Sequence, residues 1–371
     1  MSRSVSDYEY RVICFDLEGP LSPQDNAYEV MRLIENGDQI FEVLSKYDDL
    51  LALENRVGYE PGDTLALIVP FLLSNNITEK DISRVSAKAK IVNGAKELIS
   101  MCRDLGWKTY IISTSYEQHA YSIGARLGVN KENIICTSLQ LDKLKKSGYF
   151  SSDIAIIKKA EDDILKFYEN MDKKKENIKE EMIARLDEFF YKELPKTSYG
   201  DVFSKVKVVG GMRKVEAMLK IAQENKVELR DIIVVGDSIT DSLMLKKVKE
   251  ENGIAIVFNG NSYAVPYANL GLASMDIRFL QIIVNALTSD KDVIKIVKEW
   301  EKNRTHFAKG EIPYHMITPE IKEFLENVKI PKEKFPYFNY LEGASLDKIS
   351  KVIEIHQQFR KWVRGEAAKL G

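Results

Sequence analysis

Two apolar runs in this sequence end in paired carboxylates. Val12-Ile13-Cys14-Phe15 leads into Asp16-Leu17-Glu18-Gly19-Pro20, and Val234-Val235-Gly236 leads into Asp237-Ser238-Ile239-Thr240-Asp241. In an open parallel sheet, ligands bind beyond the carboxyl ends of the strands. If the two runs are neighbouring strands, Asp16, Glu18, Asp237 and Asp241 converge there. Like charges this close are costly unless something positive sits among them. Hard oxygen ligands with few nitrogens suit Mg2+ better than zinc or copper. The four acids therefore imply a magnesium site.

Two further pieces would complete a phosphate site. Tyr110-Ile111-Ile112 runs into Ser113-Thr114-Ser115, which sets hydroxyls and exposed backbone N–H groups at a strand end before a helix, a natural anion cradle. Gly210-Gly211-Met212-Arg213-Lys214 then opens a helix with a cation in its first turn, able to neutralise phosphate charge in a transition state. Taken singly, each piece also fits a cap, a turn or a solvated helix end.

The elements that must position these residues are short strands alternating with helices. Arg11 to Phe15, Lys108 to Ile112, Asn133 to Cys136 and Asp231 to Val235 are apolar runs bounded by turn signals. Their alternation with helical stretches predicts an α/β fold, a doubly wound parallel sheet with helices on both faces. Residues 8–24, 99–150 and 203–288 are expected to form this core. Residues 25–98 read as a helical cap inserted after the first strand. Residues 151–202 read as a charged helical insertion, a hairpin with Ile157, Ile164, Phe167, Met171, Ile178, Met182, Leu186 and Phe189 at roughly helical spacing. Its charges read as a solvated face. Residues 289–371 form a helical C-terminal extension with an irregular patch from Gly310 to Tyr340 and no legible motif.

In combination and in chain order, Asp16/Glu18, Ser113, Lys214 and Asp237/Asp241 resemble the four motifs of the haloacid dehalogenase superfamily. Asp16-Leu17-Glu18-Gly19, Ser113-Thr114-Ser115-Tyr116-Glu117 and Thr137-Ser138-Leu139-Gln140-Leu141-Asp142 look like the phosphoserine phosphatase branch, in particular its bifunctional phosphoserine phosphatase/homoserine phosphotransferase. Gly253 to Gly260 resembles that branch too, and the chain is also similar to archaeal predicted hydrolases of the superfamily. The resemblance implies Asp16 as nucleophile and metal ligand, and Glu18 as general acid and base with its carbonyl on the metal. It implies Ser113 at the phosphoryl group, Lys214 as the neutralising cation, and Asp237 on magnesium with Asp241 in support, and Thr114 is expected among the substrate-binding residues. It further implies Asp25 against a substrate ammonium and Arg56, in the cap, against a substrate carboxylate. Asn259 is expected near the substrate. Most phosphatases of the superfamily carry Asp where this chain has Glu18, which makes transfer to an alcohol acceptor an alternative to hydrolysis. A non-catalytic regulatory or binding subunit on the same scaffold is the alternative from another class.

Composition sets the remaining bounds. The 371 residues are 44% hydrophobic and 30% charged with a formal charge of −2, the profile of a globular protein with no demand for nucleic acid. No apolar stretch suggests a signal peptide or membrane span. Three widely spaced cysteines, Cys14, Cys102 and Cys136, suggest neither a disulfide framework nor a zinc site. The expected setting is cytoplasmic and the expected partner a small phosphorylated metabolite. His119, His306, His315 and His356 share no metal-ligand spacing. Oligomeric state is left open.

Overall fold

The computed structural model describes residues 11–54, 56–145, 151–170, 177–200 and 202–370, with no side chain described at 151, 203 or 204. Residues 8–10 of the expected core and Met171 of the expected hairpin lie outside the described residues. Seven strands form one sheet: β1 Arg11–Phe15, β2 Trp107–Tyr116, β3 Ile134–Thr137, β4 Ile232–Gly236, β5 Ile254–Phe258, β6 Leu270–Ala273 and β7 Tyr337–Tyr340. Their order is β3-β2-β1-β4-β5-β6-β7. Every neighbouring pair is parallel except β6 and β7.

β1 lies at the centre because both of its faces are apolar. Val12, Ile13, Cys14 and Phe15 are fully buried. Successive strand side chains point to opposite faces, and the two helical layers take alternate residues. Ile13 and Phe15 join Ile111, Val235, Ile123 and Trp300 on one side. Val12 and Cys14 join Ile112, Val234, Met218 and Leu245 on the other. Cys14 is opposite Tyr110 of β2 and Val234 of β4. The register therefore brings the carboxyl ends of β1, β2 and β4 to one rim, as the paired acids require.

β2 runs further than its apolar core suggests. It continues through Ser113-Thr114-Ser115 to Tyr116, and its register against β3 shifts between Ser113 and Tyr116. The Thr137 hydroxyl donates to the Thr114 carbonyl at 2.6 Å across the shift. The hydroxyl residues thus belong to the strand's last turn of pleat, directly before the helix Glu117–Leu127.

Both inserted segments bury one shared apolar cluster. Tyr47, Leu65 and Phe71 of the first segment pack with Ile157, Ile164, Met182, Leu186 and Phe189 of the second, and the Phe71 and Phe189 rings lie 5.9 Å apart. The second segment is a pair of helices, Ser151–Tyr168 and Ile178–Glu188, tied by an Arg185–Asp163 ion pair at 2.8 Å.

The C-terminal extension departs from expectation. Its irregular patch contains β7, which completes the sheet against β6. Trp300 is fully buried beside it, stacks on Phe335 at 5.7 Å and donates to the Pro336 carbonyl at 3.1 Å. The last long helix, Leu346–Arg364, starts at a Ser345 cap and lies against the β5 and β6 ends. There the Gly260 N–H donates to His356 Nδ1 at 3.1 Å. Among the described residues, no helix is long and apolar enough to cross a membrane.

Burial holds the His356 imidazole down at about 3, well below its ordinary value. The native state therefore binds fewer protons than the unfolded chain between about pH 3 and 6.5. Stability is full above the upper limit and falls as pH drops through it, by up to about 1.4 kcal/mol per pH unit for this group. Urea unfolding at pH 7.5 and 5.0 should show this loss. In His356→Asn, which keeps an acceptor for Gly260, the loss between the two pH values should shrink by about 2 kcal/mol; an unchanged difference would refute the assignment.

Candidate active site

The rim of β1 and β4 is shaped by close backbone approach. The Asp16 N–H bonds to the Val235 carbonyl at 2.8 Å, which fixes the first carboxylate beside the second strand. Gly19 has φ +107, and a Cβ there would fall 2.1 Å from an Asp237 carboxylate oxygen. Only glycine lets the Asp16 loop lie this close to Asp237. Lys214 comes from the first turn of the helix Met212–Asn225.

Asp16, Asp237, Asp241 and Lys214 are all nearly or fully buried. Lys214 Nζ donates to Asp16 Oδ1 and to Asp241 Oδ1, both at 2.7 Å. The second oxygen of Asp241 accepts from the Asp237 N–H at 3.0 Å and the Ser238 N–H at 3.2 Å. Asp241 is thereby a strut that holds both the lysine and the β4 loop. Asp237 Oδ2 accepts from Arg360 Nη1 and, at 3.0 Å, from Arg364 Nη1. Asp237 Oδ1, by contrast, is buried with no hydrogen-bond partner among the described residues.

Electrostatics follow from this enclosure. Burial, then Asp241, push the Asp16 carboxyl up to about 7, with Lys214 pulling against them. Burial opposes the Lys214 charge, but Asp16 and Asp241 more than offset it and hold the ammonium above its ordinary range. Burial brings Arg360 down to about 10 against the pull of Asp237, so it stays a cation at neutral pH. Burial, then Asp25, push the Glu18 carboxyl up to about 8. Its Oε1 accepts from the Asn26 N–H at 2.8 Å and lies 3.9 Å from His119 Nε2. Burial keeps His119 neutral.

Asp16, Glu18, Asp25, Thr114, Arg360 and Arg364 line a cavity of about 60 Å³, with Phe41, Asp48 and Gly62 contributed by the cap; Lys214, Asp237 and Asp241 stand behind this wall. The donor set fits a hard divalent cation. Carboxylate oxygens of Asp16, Asp237 and Asp241 lie within 4.8 Å of one another, and the orphaned Asp237 oxygen is a buried acceptor without a donor. Buried polar atoms are seldom left so.

Residues 77–276 match the haloacid dehalogenase-like hydrolase family. The chain belongs to that family. Its fold is also that of a solved gene product from Archaeoglobus fulgidus, with 25% identity over 98% of this chain and 99% of the other at a TM-score of 0.72. A phospho-aspartyl intermediate analogue of a phosphoserine phosphatase is 16% identical over 73% of this chain and 97% of its own, with a TM-score of 0.47. A substrate-bound phosphoserine phosphatase complex is 15% identical over 74% and 98%, again at 0.47. No curated protein matches in sequence.

In this haloacid dehalogenase-like site, the sequence-expected residues divide. Asp16, Glu18, Asp25, Thr114, Lys214, Asp237 and Asp241 gather at the cavity or directly behind it. Asp25 lines the wall while capping the helix Asn26–Met31 through the Tyr28 N–H at 2.9 Å. Ser113 is buried and its oxygen accepts from the Ser115 N–H at 3.1 Å, leaving its own proton free to donate. Arg56 and Asn259 do not join them. Arg56 pairs with Asp187 at 2.6 Å and lines outer clefts of the cap, because the second insertion brings a carboxylate to it. The Asn259 amide is spent on Ser274, donating to its carbonyl at 2.8 Å and accepting from its N–H at 2.9 Å, which clamps the β5 and β6 ends.

Arg360 and Arg364 are the cavity-lining residues that sequence reasoning missed. Their spacing by one helical turn was the available signal, but on a mixed-charge helix that pattern reads as a solvated face. Gly19→Ala should cost about 1–3 kcal/mol of stability through its backbone conformation and the displaced Asp237. Thermal unfolding of the variant would show it, and an unchanged melting temperature would mean that the loop tolerates a side chain there.

Proposed function

We propose that the chain is a magnesium-dependent phosphomonoester hydrolase acting on a small phosphorylated metabolite through an aspartyl-phosphate on Asp16. The observation that carries the reading is Lys214, buried between Asp16 and Asp241 at 2.7 Å from each, behind the cavity that Asp16 lines and beside Asp237, which keeps an orphaned buried oxygen. A scaffold without turnover has no use for that enclosed charge.

Phosphate monoesters hydrolyse in water so slowly that positioning and charge stabilisation must supply roughly 20 kcal/mol or more. A carboxylate nucleophile divides the barrier into two steps. In the first, an Asp16 oxygen bonds to phosphorus as the ester P–O bond breaks, and the leaving oxygen takes its electron pair and a proton from Glu18. In the second, water attacks phosphorus, Glu18 recovers a proton, and the Asp16 carboxylate departs. Lys214 holds Asp16 in place and neutralises charge on the phosphoryl oxygens. The Ser113 hydroxyl and nearby main-chain N–H groups bond those oxygens. Magnesium, held by Asp16, Asp237 and the Glu18 carbonyl with Asp241 in support, would supply the positive charge that lets a phosphate dianion approach a carboxylate. Closure by the cap excludes water and large substrates.

Turnover of p-nitrophenyl phosphate should require magnesium, stop in EDTA and fall by at least about 10³ in Asp16→Asn. Metal-independent turnover, or turnover that survives the substitution, would exclude the mechanism. Asp25→Ala should raise KM for O-phosphoserine far more than for p-nitrophenyl phosphate, since in this reading Asp25, which lines the cavity, is the partner of a substrate ammonium. Equal effects on both substrates would remove it from recognition.

A further inference from the structure

The buried charges of the site are unevenly shared. Asp16 and Asp241 divide one cation, Lys214. Asp237 has two, because Arg360 Nη1 and Arg364 Nη1 both donate to its Oδ2. Summed over these six side chains the formal charges cancel, three carboxylates against three cations, but the positive surplus sits at Asp237. Glu18 and Asp25 share the cavity wall and are held by main-chain donors instead, the Asn26 and Tyr28 N–H groups.

The two arginines are fixed in this place. They stand one turn apart on the helix Leu346–Arg364, beyond the stretch 77–276 that carries the family match, with side chains 2% and 5% exposed. Arg360 donates from Nε to the Ala368 carbonyl at 3.1 Å and from Nη2 to the Leu370 carbonyl at 2.8 Å. Arg364 is held at Nε by the Pro23 carbonyl at 3.2 Å. Neither guanidinium can leave Asp237 without breaking bonds to the main chain.

We infer that Arg360 and Arg364 are resident counter-cations of Asp237 that antagonise magnesium, so that the final helix sets the metal affinity of the site low and ties metal retention to a bound phosphoryl group. The inference rests on the phosphoryl-transfer reading above. Like charges repel most strongly where water is excluded. A divalent cation reaching Asp237 Oδ1, which has no hydrogen-bond partner among the described residues, meets two guanidinium groups on the other oxygen. Added to a balanced cluster, Mg2+ alone leaves two positive charges in excess, and a phosphate dianion alone leaves two negative. The two together restore neutrality, and each then favours the other by the same factor. Arginines that merely oriented Asp237 for the metal would act in the opposite direction, since their loss would weaken the ion.

Titration of the full chain, stripped of metal, tests the antagonism. Mn2+ binding is followed by the paramagnetic resonance signal of the free ion, and inorganic phosphate binding by calorimetry. In Arg364→Met, Mn2+ alone should bind at least about 10-fold more tightly than in wild type, and phosphate alone at least about 10-fold more weakly. Arg364→Lys, which keeps the charge, should leave Mn2+ affinity within about threefold of wild type. In wild type, saturating phosphate should tighten Mn2+ at least about 10-fold, a measurement that needs no variant should the methionine protein fail to fold. Weaker or unchanged Mn2+ binding in Arg364→Met, Mn2+ and phosphate affinities that move in the same direction, tightening that Arg364→Lys shares, or no effect of phosphate on Mn2+ in wild type would overturn the antagonism. Turnover of p-nitrophenyl phosphate judges the phosphoryl-transfer reading separately: magnesium-dependent turnover beside any of those results discards the antagonism and keeps the reading, whereas metal-independent turnover discards both.

Discussion

Six ionisable side chains buried together set the terms for this protein. Asp16, Asp237 and Asp241 face Lys214, Arg360 and Arg364 with almost no exposure to water. Taking one such ion out of water costs several kcal/mol even after relaxation, and only a close, well-bonded counter-charge offsets it. No member of the set can therefore be buried without its partners. The members come from the end of β1, the loop after β4, a helix start at Lys214 and the last long helix, so the fold must deliver four separate parts of the chain to one point.

The sheet order is the means of delivery. With β1 between β2 and β4, three strand ends and their loops are within bonding reach, and the register places Asp16 opposite the β4 tip through a single backbone hydrogen bond. The fourth part arrives by a longer route. β7 pairs antiparallel with β6, Trp300 packs behind it, and His356 meets the Gly260 N–H. Those contacts turn the final helix so that Arg360 and Arg364 point back across the sheet to Asp237. The extension that looks peripheral in the chain is thus part of the charge balance at its centre.

Much of the site was legible because the chemistry is local in sequence. Asp16 with Glu18, and Asp237 with Asp241, sit at fixed offsets after apolar runs, and Lys214 follows a glycine pair that opens a helix. The rest depends on partners far along the chain. Arg56 looked available until a folded insertion supplied Asp187 to it. Asn259 looked like a substrate contact until β6 placed Ser274 against its amide. β7 is four residues long and set among prolines, so neither length nor periodicity marks it. Arg360 and Arg364 have an ordinary amphipathic spacing, and only the turn made by β7 and His356 gives that face something to meet.

This distribution separates chemistry from choice. Asp16, Lys214, Asp237 and Asp241 are set by β1, β4 and the Lys214 helix, whose first turn the cap also touches through Glu60 and Asp63. Much of the cavity wall comes from elsewhere: Phe41, Asp48 and Gly62 from the cap, and Arg360, Arg364 and Leu370 from the final helix and the short segment beyond its end. A lysine bonded at 2.7 Å to two carboxylates has little freedom to adapt. An arginine anchored by one carbonyl and one carboxylate oxygen keeps donors to spare. The extension therefore supplies cavity wall and charge balance together, since buried Asp237 needs a positive charge beside it.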